Sequence, residues 1–297
     1  MFLHEVREML WCAGALYGLS LFLGMLKTSA LKARLWSHFP LLAIAVGFFF
    51  QTRGLYLRGM EAHGCPLGNT MERIQFILWS LILAFLILRL VWKLNLLGSF
   101  CAGLAFIGGW ASLSFPSLDA PYWKAPGFDR LFADPWIELH ASIAVFSYGL
   151  FSLLAVVSAM YLFQRKSLLS RKYGKLASFL PPIHDLEHAA FRLLLVGVVF
   201  LTLSIVVGGM HWTRHPEFVT SAKLAVTILL WVGYCILFFL RLANRLYGSK
   251  FAKACLALFV VALASLSLVS SKKKKASEVS DHPGRTALSP PSLQGEK

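Results

Sequence analysis

The fold is decided by the stretch between Pro135 and Gln164, which reads PWIELHASIAVFSYGLFSLLAVVSAMYLFQ. Residues 139–163 of this stretch include no Asp, Glu, Lys or Arg. A helix that crosses a lipid bilayer needs about 20 consecutive, mostly apolar residues, and this run is long enough. The stretch therefore predicts a transmembrane helix with one histidine, His140, close to its first end.

The composition of the whole chain extends this interpretation. Of 297 residues, 57% are hydrophobic and only 14% are charged, whereas about a quarter of the residues of a soluble domain are charged. This excludes an ordinary soluble enzyme, and it excludes disorder for most of the chain. Roughly eight long apolar runs occur, near residues 9–26, 39–57, 73–92, 96–115, 139–163, 190–210, 223–243 and 252–270.

We therefore predict an all-α fold, a polytopic membrane bundle of about eight transmembrane helices. The bundle occupies residues 1–270. The remaining residues, 271–297, are rich in Ser, Pro and charge, a composition typical of a disordered tail. We expect a multi-pass protein of the bacterial inner (plasma) membrane, with membrane lipid as its surroundings.

The positions of the basic residues predict the orientation. The formal net charge is +15, and Lys and Arg concentrate in the loops after spans one, three, five and seven, as in cytoplasmic loops. The loops after spans two, four and six are mixed or acidic and should be external, as should both termini. The cluster Lys272–Lys275 disagrees with this orientation. It follows the last span directly, and basic residues at that position favour a cytoplasmic C-terminus. Since the charge belongs to loops, we expect no nucleic-acid partner.

Two histidines are candidates for a heme site on the external side. His140 lies one helical turn after Trp136, and His211 follows span six next to Trp212. Imidazole nitrogen binds heme iron axially and indole rings pack against a porphyrin, so His140 and His211 are candidate axial ligands, with Trp136 and Trp212 beside the cofactor. The alternative is that these side chains are interfacial anchors.

Two further histidine pairs have a spacing of four residues. His211 and His215 could form a metal pair if their segment is helical, although only Glu217 is near enough to add a ligand. His184 and His188 could also bind zinc, but Pro182 and Asp185 are typical of the start of a helix. The alternative for this second pair is a cytoplasmic helix that leads into span six.

A second stretch, between Leu55 and Ser80, carries a family resemblance. It reads LYLRGMEAHGCPLGNTMERIQFILWS and resembles the motif R-G…C-P-L-x-N-x-x-E-x-x-x-F-x-x-W of the cytochrome c assembly proteins, the CcsA/ResC/HemX-like membrane family. The matching residues are Arg58, Gly59, Pro66, Leu67, Asn69, Glu72, Phe76 and Trp79. Asn69 and Glu72 also have the spacing of a helix-capping box, which explains both without a catalytic role.

The helix that starts at Trp136 is similar to the family helix in which a tryptophan precedes the external histidine by four residues. The resemblance implies that His140 is that histidine. It implies a protein of cytochrome c biogenesis, not an enzyme, that binds or handles heme (heme b, held transiently) on the external face for delivery to apocytochrome c. A ResB-like subunit would be a further partner.

Departures from the family pattern favour its HemX-like branch. The chain has no Trp-Trp-Asp sequence before span seven, and SLVSSKKKK, after the last span, has no histidine. The alternative function is accordingly a membrane regulator of a tetrapyrrole-synthesis enzyme that acts through protein contacts. A small-molecule transporter is the third hypothesis, which the scarcity of ionisable residues within the spans disfavours.

Overall fold

The computed structural model describes residues 2–27, 38–62, 64–92, 97–119, 135–170, 182–212 and 221–271. These residues form eight long α-helices and one short 3₁₀ turn, Pro116–Leu118. The helices are α1 Phe2–Lys27, α2 Phe39–Ala62, α3 Thr70–Trp92, α4 Leu97–Ser114, α5 Pro135–Leu169, α6 Ile183–Trp212, α7 Ser221–Leu242 and α8 Gly248–Ser271. The tail after residue 271 lies outside the described residues, so its predicted disorder stays a prediction.

The predicted all-α class and the eight spans are confirmed. Each of the eight helices is long and apolar enough to cross a membrane, and each contains nearly all of one predicted apolar run. Large apolar side chains cover the outside of the bundle; for example, Phe49 is 66% exposed and Leu90 is 83% exposed. Such a surface suits lipid rather than water, and the chain is a multi-pass membrane protein.

Several helices are longer than their apolar runs because polar residues continue them. The run at 39–57 becomes a helix that ends at Ala62, and the run at 190–210 becomes a helix that begins at Ile183. Pro182 stands just before α6, and its carbonyl accepts the Asp185 and Leu186 N–H groups, so the predicted helix start is confirmed. His184 and His188 are thus part of α6 itself.

The helices form two groups that meet at α3 and α5. Helices α1 to α4 pack on one another, α5 packs most extensively on α6 and also on α8, and α3 joins the groups by packing on α5. At that crossing a Cβ added to Gly149 would lie 2.2 Å from Ser80 Cβ and 3.1 Å from the Ile77 carbonyl oxygen. The missing side chain at Gly149 therefore allows the two backbones to approach closely.

The first group is held together by a chain of buried polar side chains. The Tyr17 hydroxyl donates to Gln51 Oε1 at 2.8 Å, and Gln51 Nε2 donates to Gln75 Oε1 at 3.0 Å. Gln75 Nε2 then donates to Ser112 Oγ at 2.9 Å. These contacts link α1, α2, α3 and α4. Because lipid offers no hydrogen bonds, each of these groups must find its partner inside the bundle, which restricts the register of the four helices.

Candidate functional site

The His140 side chain is fixed against α6 through one of its ring nitrogens. Its Nδ1 lies 2.7 Å from the backbone carbonyl oxygen of Ser204, and the Ser204 hydroxyl donates to the His140 carbonyl oxygen at 3.2 Å. A carbonyl oxygen only accepts, so Nδ1 carries the proton and Nε2 of the neutral ring has a lone pair. No residue in the described part of the chain hydrogen-bonds Nε2. This arrangement is typical of histidines that bind metals.

Gly208 on α6 makes the room that this imidazole occupies. A Cβ added to Gly208 would lie 2.6 Å from Nδ1 and 2.7 Å from Cε1 of His140. Ser204 and Gly208 are four residues apart and so lie on one face of α6. The position of the His140 ring is therefore determined by the backbone of α6 on two sides.

His140 lines a cavity that is enclosed by α5 to α8 together with Leu67, just before α3, and Arg73, in the first turn of α3. The cavity has a volume of about 360 Å³. Its walls are mainly apolar and include Phe151, Leu201 and Leu230, while its polar lining consists of Arg73, His140, Tyr148, Ser204, Thr227, Tyr234 and Ser265. A mostly apolar pocket with a few polar groups is the usual form of a small-molecule site.

Tyr234 is a polar residue of this lining whose hydroxyl group has no hydrogen-bond partner among the described residues. Its side chain is 1% exposed and stacks on Phe151 with ring centroids 3.7 Å apart. Among the residues that the structure describes, none accepts a hydrogen bond from its hydroxyl group. A buried hydroxyl normally has a partner, so the Tyr234 hydroxyl is a candidate hydrogen-bond donor to a molecule in the cavity.

The segment before α3 lies beside the start of α5, close to His140. The Cys65 N–H donates to Glu138 Oε1 at 3.2 Å, and Cys65 Sγ lies 3.2 Å from Ser142 Oγ. Burial raises the pKa of the Cys65 thiol, and the hydrogen bond to Ser142 opposes this shift. Cys65 is thus partly buried, and the motif in which it stands is docked on the helix that carries the histidine.

The capping box predicted for this segment is present. The Glu72 N–H donates to Asn69 Oδ1 at 2.8 Å, and Glu72 Oε2 accepts the Gly68 and Asn69 N–H groups at 3.0 and 3.5 Å. Asn69 is therefore the N-cap of α3 and Glu72 is its third helical residue. The carboxylate of Glu72 has a structural role, as the sequence indicates.

Glu72 also belongs to a buried ionic network that the sequence analysis does not predict. Arg58 is 2% exposed, and its guanidinium donates to Glu72 Oε1 and to Asp119 Oδ1, both at 2.6 Å. Asp119 Oδ2 accepts from Arg7 at 2.9 Å, and Asp119 Oδ1 also accepts from Asn69 at 3.0 Å. We call the end of the bundle that carries this network and His140 the His140 face. The network joins four chain segments there.

The structure locates two of the four predicted site residues in full. His140 is half-buried in the cavity wall, and Trp136 is 44% exposed one turn before it on α5. His211 and Trp212 are the last two residues of α6, but their side chains lie outside the described part, as does His215. The structure therefore does not test whether His140 and His211 act together, and all four roles stay predictions.

The other histidine pair is formed but gains no third ligand. The Nε2 atoms of His184 and His188 lie 3.2 Å apart on the exposed surface of α6. Within the described residues there is no group of three or more His, Cys, Asp or Glu side chains that could hold a metal ion. The nearby Glu187 instead bonds Arg241 at 2.9 Å.

Sequence patterns did not identify the residues that support His140. Ser204 and Gly208 lie inside an apolar run, and Arg73 lies within the family motif at a position that the motif leaves unspecified. A four-residue spacing between a hydroxyl residue and a glycine in a span could have marked the face of α6 that approaches another helix. Which helix packs against that face depends on the tertiary packing alone.

The comparisons with known proteins agree with the resemblance seen in the two motifs. The family described as Cytochrome C assembly protein matches residues 67–274, which is well over half of the chain. Protein HemX of Brevibacillus brevis is 30% identical over 183 residues, 61% of this chain and 65% of that protein. Protein HemX of Bacillus subtilis (strain 168) is 24% identical over 208 residues, 69% of this chain and 74% of that protein.

A relative with a different name matches as well. Cytochrome c biogenesis protein CcsA of Chlamydomonas reinhardtii is 23% identical over 242 residues, 76% of this chain and 64% of that protein. The chain thus spans just under two thirds of the length of the Brevibacillus and Chlamydomonas relatives. The matched region contains α3 to α8, the capping box and His140. The predicted family is confirmed, and the chain belongs to the cytochrome c assembly protein family.

Proposed function

We propose that this protein handles heme on the external face of the membrane during cytochrome c biogenesis. The observation that supports the proposal is the hydrogen bond from His140 Nδ1 to the Ser204 carbonyl oxygen at 2.7 Å. It holds the imidazole in the tautomer whose Nε2 can bind iron. The biogenesis role follows the family and the name of the CcsA relatives.

The residues around the cavity fit a metalloporphyrin. His140 supplies an axial nitrogen, the walls supply apolar surface for a flat macrocycle, and Trp136 supplies an indole one turn away. Heme brings iron and a porphyrin ring whose attachment to an apocytochrome would take place elsewhere or with a partner. The protein's residues bind and orient this cargo, and no residue is assigned a catalytic role.

The role of each side chain follows from its contacts. The Ser204 carbonyl oxygen keeps the proton on Nδ1, and Gly208 keeps the ring close to α6. The apolar cavity walls exclude water from the bound cargo, which slows its oxidation and loss. Heme b held transiently, with His211 and Trp212 completing the site, is the fuller form of this proposal, and apocytochrome c and a ResB-like subunit are the proposed partners.

The direct test is a heme titration of the purified protein in mild detergent. We expect a Soret band for the wild type, and we expect His140→Ala to shift its position and to weaken affinity by about tenfold or more, because the axial bond is lost. Trp136→Phe should weaken affinity less. Wild-type protein that gives no Soret band after loading, or a His140→Ala spectrum identical to wild type, would overturn the proposal.

A second candidate function is favoured by the names of two relatives. Proteins called HemX match this chain over well over half of its length, and regulation of a tetrapyrrole-synthesis enzyme through protein contacts is the corresponding proposal. Deletion of the gene separates the two functions. Loss of c-type cytochromes supports heme handling, whereas normal cytochromes with a changed abundance of an early tetrapyrrole-synthesis enzyme support regulation.

A further inference from the structure

Four exposed cations lie at the end of the bundle opposite the His140 face. Helix α5 begins on the His140 face, and Arg165 and Lys166 stand in its last two turns; Lys250 and Lys253 stand in the first two turns of α8. We call these four residues the basic cluster. None of the four forms a salt bridge with a residue that the structure describes.

Tertiary packing brings the two pairs of the basic cluster together. A Cβ added to Gly248, the first residue of α8, would lie 3.0 Å from the Tyr161 hydroxyl oxygen on α5. Arg165 follows Tyr161 by four residues and so continues the same face of α5. Lys250 and Lys253 are three residues apart, so they lie on one side of α8. The end of α5 therefore meets the start of α8, and each contributes two positive charges there.

The carboxylate that lies next to the basic cluster has other partners. Glu187 on α6 accepts from Arg241 at 2.9 Å and from the Gly248 N–H at 3.3 Å. The Arg241 guanidinium also packs over the Tyr247 ring, 4.3 Å from its centroid. The start of α8 adds the positive end of a helix dipole to the same place. The charge of the basic cluster is thus left for an anion from outside the chain.

The surroundings of the basic cluster indicate which kind of anion fits. Large apolar side chains are exposed close by in the sequence: Phe163 is 46% exposed, Leu169 is 74% exposed and Leu242 is 57% exposed. Since the helices cross a membrane, their ends lie at the level of the lipid headgroups, which long basic side chains reach. A negative headgroup joined to apolar chains matches both features, whereas an acidic peptide would match only the charges.

We propose that the basic cluster binds the phosphate group of an anionic phospholipid whose acyl chains lie along α5 and α8. Ammonium and guanidinium groups donate charge-assisted hydrogen bonds to phosphate oxygens, and basic groups between membrane helices bind anionic headgroups. The bound lipid fastens the end of α5 to the start of α8. Membrane orientation requires basic residues only within a loop, so it does not explain why the two pairs converge. The proposal does not depend on heme handling.

The test uses the full chain, purified in mild detergent and freed of lipid, with binding followed by native mass spectrometry. Phosphatidylglycerol and phosphatidylcholine with identical acyl chains differ in headgroup charge, and inorganic phosphate has the charge without the chains. The variants are Lys250→Gln with Lys253→Gln, Arg165→Gln with Lys166→Gln, and all four changes together. Lys253→Gln alone is matched by Arg53→Gln, because Arg53 is an exposed arginine on α2.

We expect the wild type to prefer phosphatidylglycerol and each lost charge to weaken its binding by about fivefold. Either double variant should therefore lose about 25-fold. Binding of phosphatidylcholine should stay that of the wild type in every variant, and Arg53→Gln should bind both lipids as the wild type does. The preference should decrease as the salt concentration rises, because ions screen charges at a membrane surface.

Three results would overturn the proposal. One is equal affinity of the wild type for the two lipids, and another is a wild-type preference that persists when all four charges are removed. The third is displacement of phosphatidylglycerol by an equal concentration of inorganic phosphate, which would identify a site for free anions. Unchanged binding of phosphatidylcholine shows that a variant is folded. If the fourfold variant does not fold, the two double variants decide the outcome by the same comparison.

Discussion

At the scale of single residues, the site depends on a backbone oxygen more than on a side chain. The proton of His140 Nδ1 is directed to the Ser204 carbonyl oxygen, which no substitution removes. The Ser204 hydroxyl, 3.1 Å from the same nitrogen, is a secondary contact. The orientation of the ring should therefore tolerate Ser204→Ala, and it should be most sensitive to a change in the space beside α6.

Gly208→Ala tests that space without removing a ligand. The new methyl group would lie within 2.7 Å of two ring atoms of His140, so the imidazole must leave its rotamer. Such a displacement costs on the order of 0.5–1.5 kcal/mol, and we expect heme affinity to fall by about two- to tenfold. The readout is the dissociation constant and Soret position in detergent.

The neighbouring glycine provides the control. A Cβ added to Gly209 meets nothing within 4 Å, so Gly209→Ala should leave the heme spectrum as it is, and its intrinsic effect on the helix is a gain of at most about 1 kcal/mol. Equal effects of the two alanines on heme binding would contradict the assignment of Gly208 as the residue that accommodates His140.

Cys65 offers a pH-dependent probe of the docked segment. Burial raises its pKa, and the negative charges of Glu138 and Glu72 raise it further, while the Ser142 hydrogen bond lowers it. Because the thiolate is the reactive form, alkylation of Cys65 should begin at a higher pH than that of a free thiol. In Ser142→Ala the onset should move to a still higher pH.

The measurement is the rate of iodoacetamide labelling against pH, in a variant whose other four cysteines are replaced by alanine. The same variant unfolded in dodecyl sulfate should regain the pH profile of a free thiol. Identical profiles in the folded and unfolded protein would mean that Cys65 is not held against α5.

At the scale of the helices, the contact between α3 and α5 positions the site. Gly149 lies about three and a half helical turns along α5 from Trp136, and its lack of a side chain lets Ser80 and Ile77 approach. Membrane helices gain little from the hydrophobic effect when they associate, so close packing of small residues is a main source of affinity between them. The same crossing brings the N-terminal ends of α3 and α5 together, with Arg73 on one and His140 on the other.

Gly149→Ala should separate these helices and destabilise the protein. The added methyl group would overlap Ser80 Cβ, and overpacking of this kind costs about 1–3 kcal/mol. We expect a lower midpoint of thermal unfolding in detergent. Ser80→Gly in the same chain removes the nearest overlapping atom, while the Ser80 backbone carbon and the Ile77 carbonyl oxygen still lie 3.0 and 3.1 Å from the added methyl group. The double variant should therefore recover part of the loss. If the double variant is no more stable than Gly149→Ala, the added methyl group does not overlap Ser80.

At the scale of the whole molecule, the two ends of the bundle are held in different ways. On the His140 face, Arg58 lies between the carboxylates of Glu72 and Asp119. At the opposite end, Glu187 on α6 accepts from Arg241 on α7 and from the Gly248 N–H at the start of α8. Removing one partner of a buried pair leaves the other charge unpaired, so each cluster supports its own end of the bundle.

The eight spans also predict on which side of the membrane α8 ends. Ser265, near the end of α8, lines the cavity with His140, so the end of α8 lies on the His140 face. Together with the orientation predicted from the basic loops, this predicts an external location for Ser271, the residue that precedes the Lys272–Lys275 cluster. Alkaline phosphatase fused after Ser271 should be active, and a fluorescent protein at the same point should be dark.

A fusion within the segment 64–69 gives the reference for that experiment. If the reporter after Ser271 shows a cytoplasmic location while the reporter at 64–69 is external, α8 does not cross the membrane. If both reporters are cytoplasmic, the whole orientation is inverted, and the proposed heme site lies on the opposite side of the membrane.

The sequence was sufficient to predict the eight helices and the starts of two of them, because these features depend on neighbours along the chain. Apolar runs of sufficient length predict the eight helices, because a lipid bilayer requires backbone hydrogen bonds to be made within each span. The start of α3 followed from the spacing of Asn69 and Glu72, and the start of α6 followed from Pro182, since capping is local. The two motifs also predicted the family, which the comparisons confirm, and they made His140 the candidate heme ligand.

Packing between distant segments determined the rest. Ser204 and Gly208 hold His140 across 64 and 68 positions, Arg58 meets Asp119 across 61, and Arg73 reaches the cavity of His140 across 67. Neither hydropathy nor spacing encodes which faces of two helices meet, because that depends on the fit of all eight. Local chemistry therefore specified the helices and their starts, and the three-dimensional fit specified the groups that surround His140.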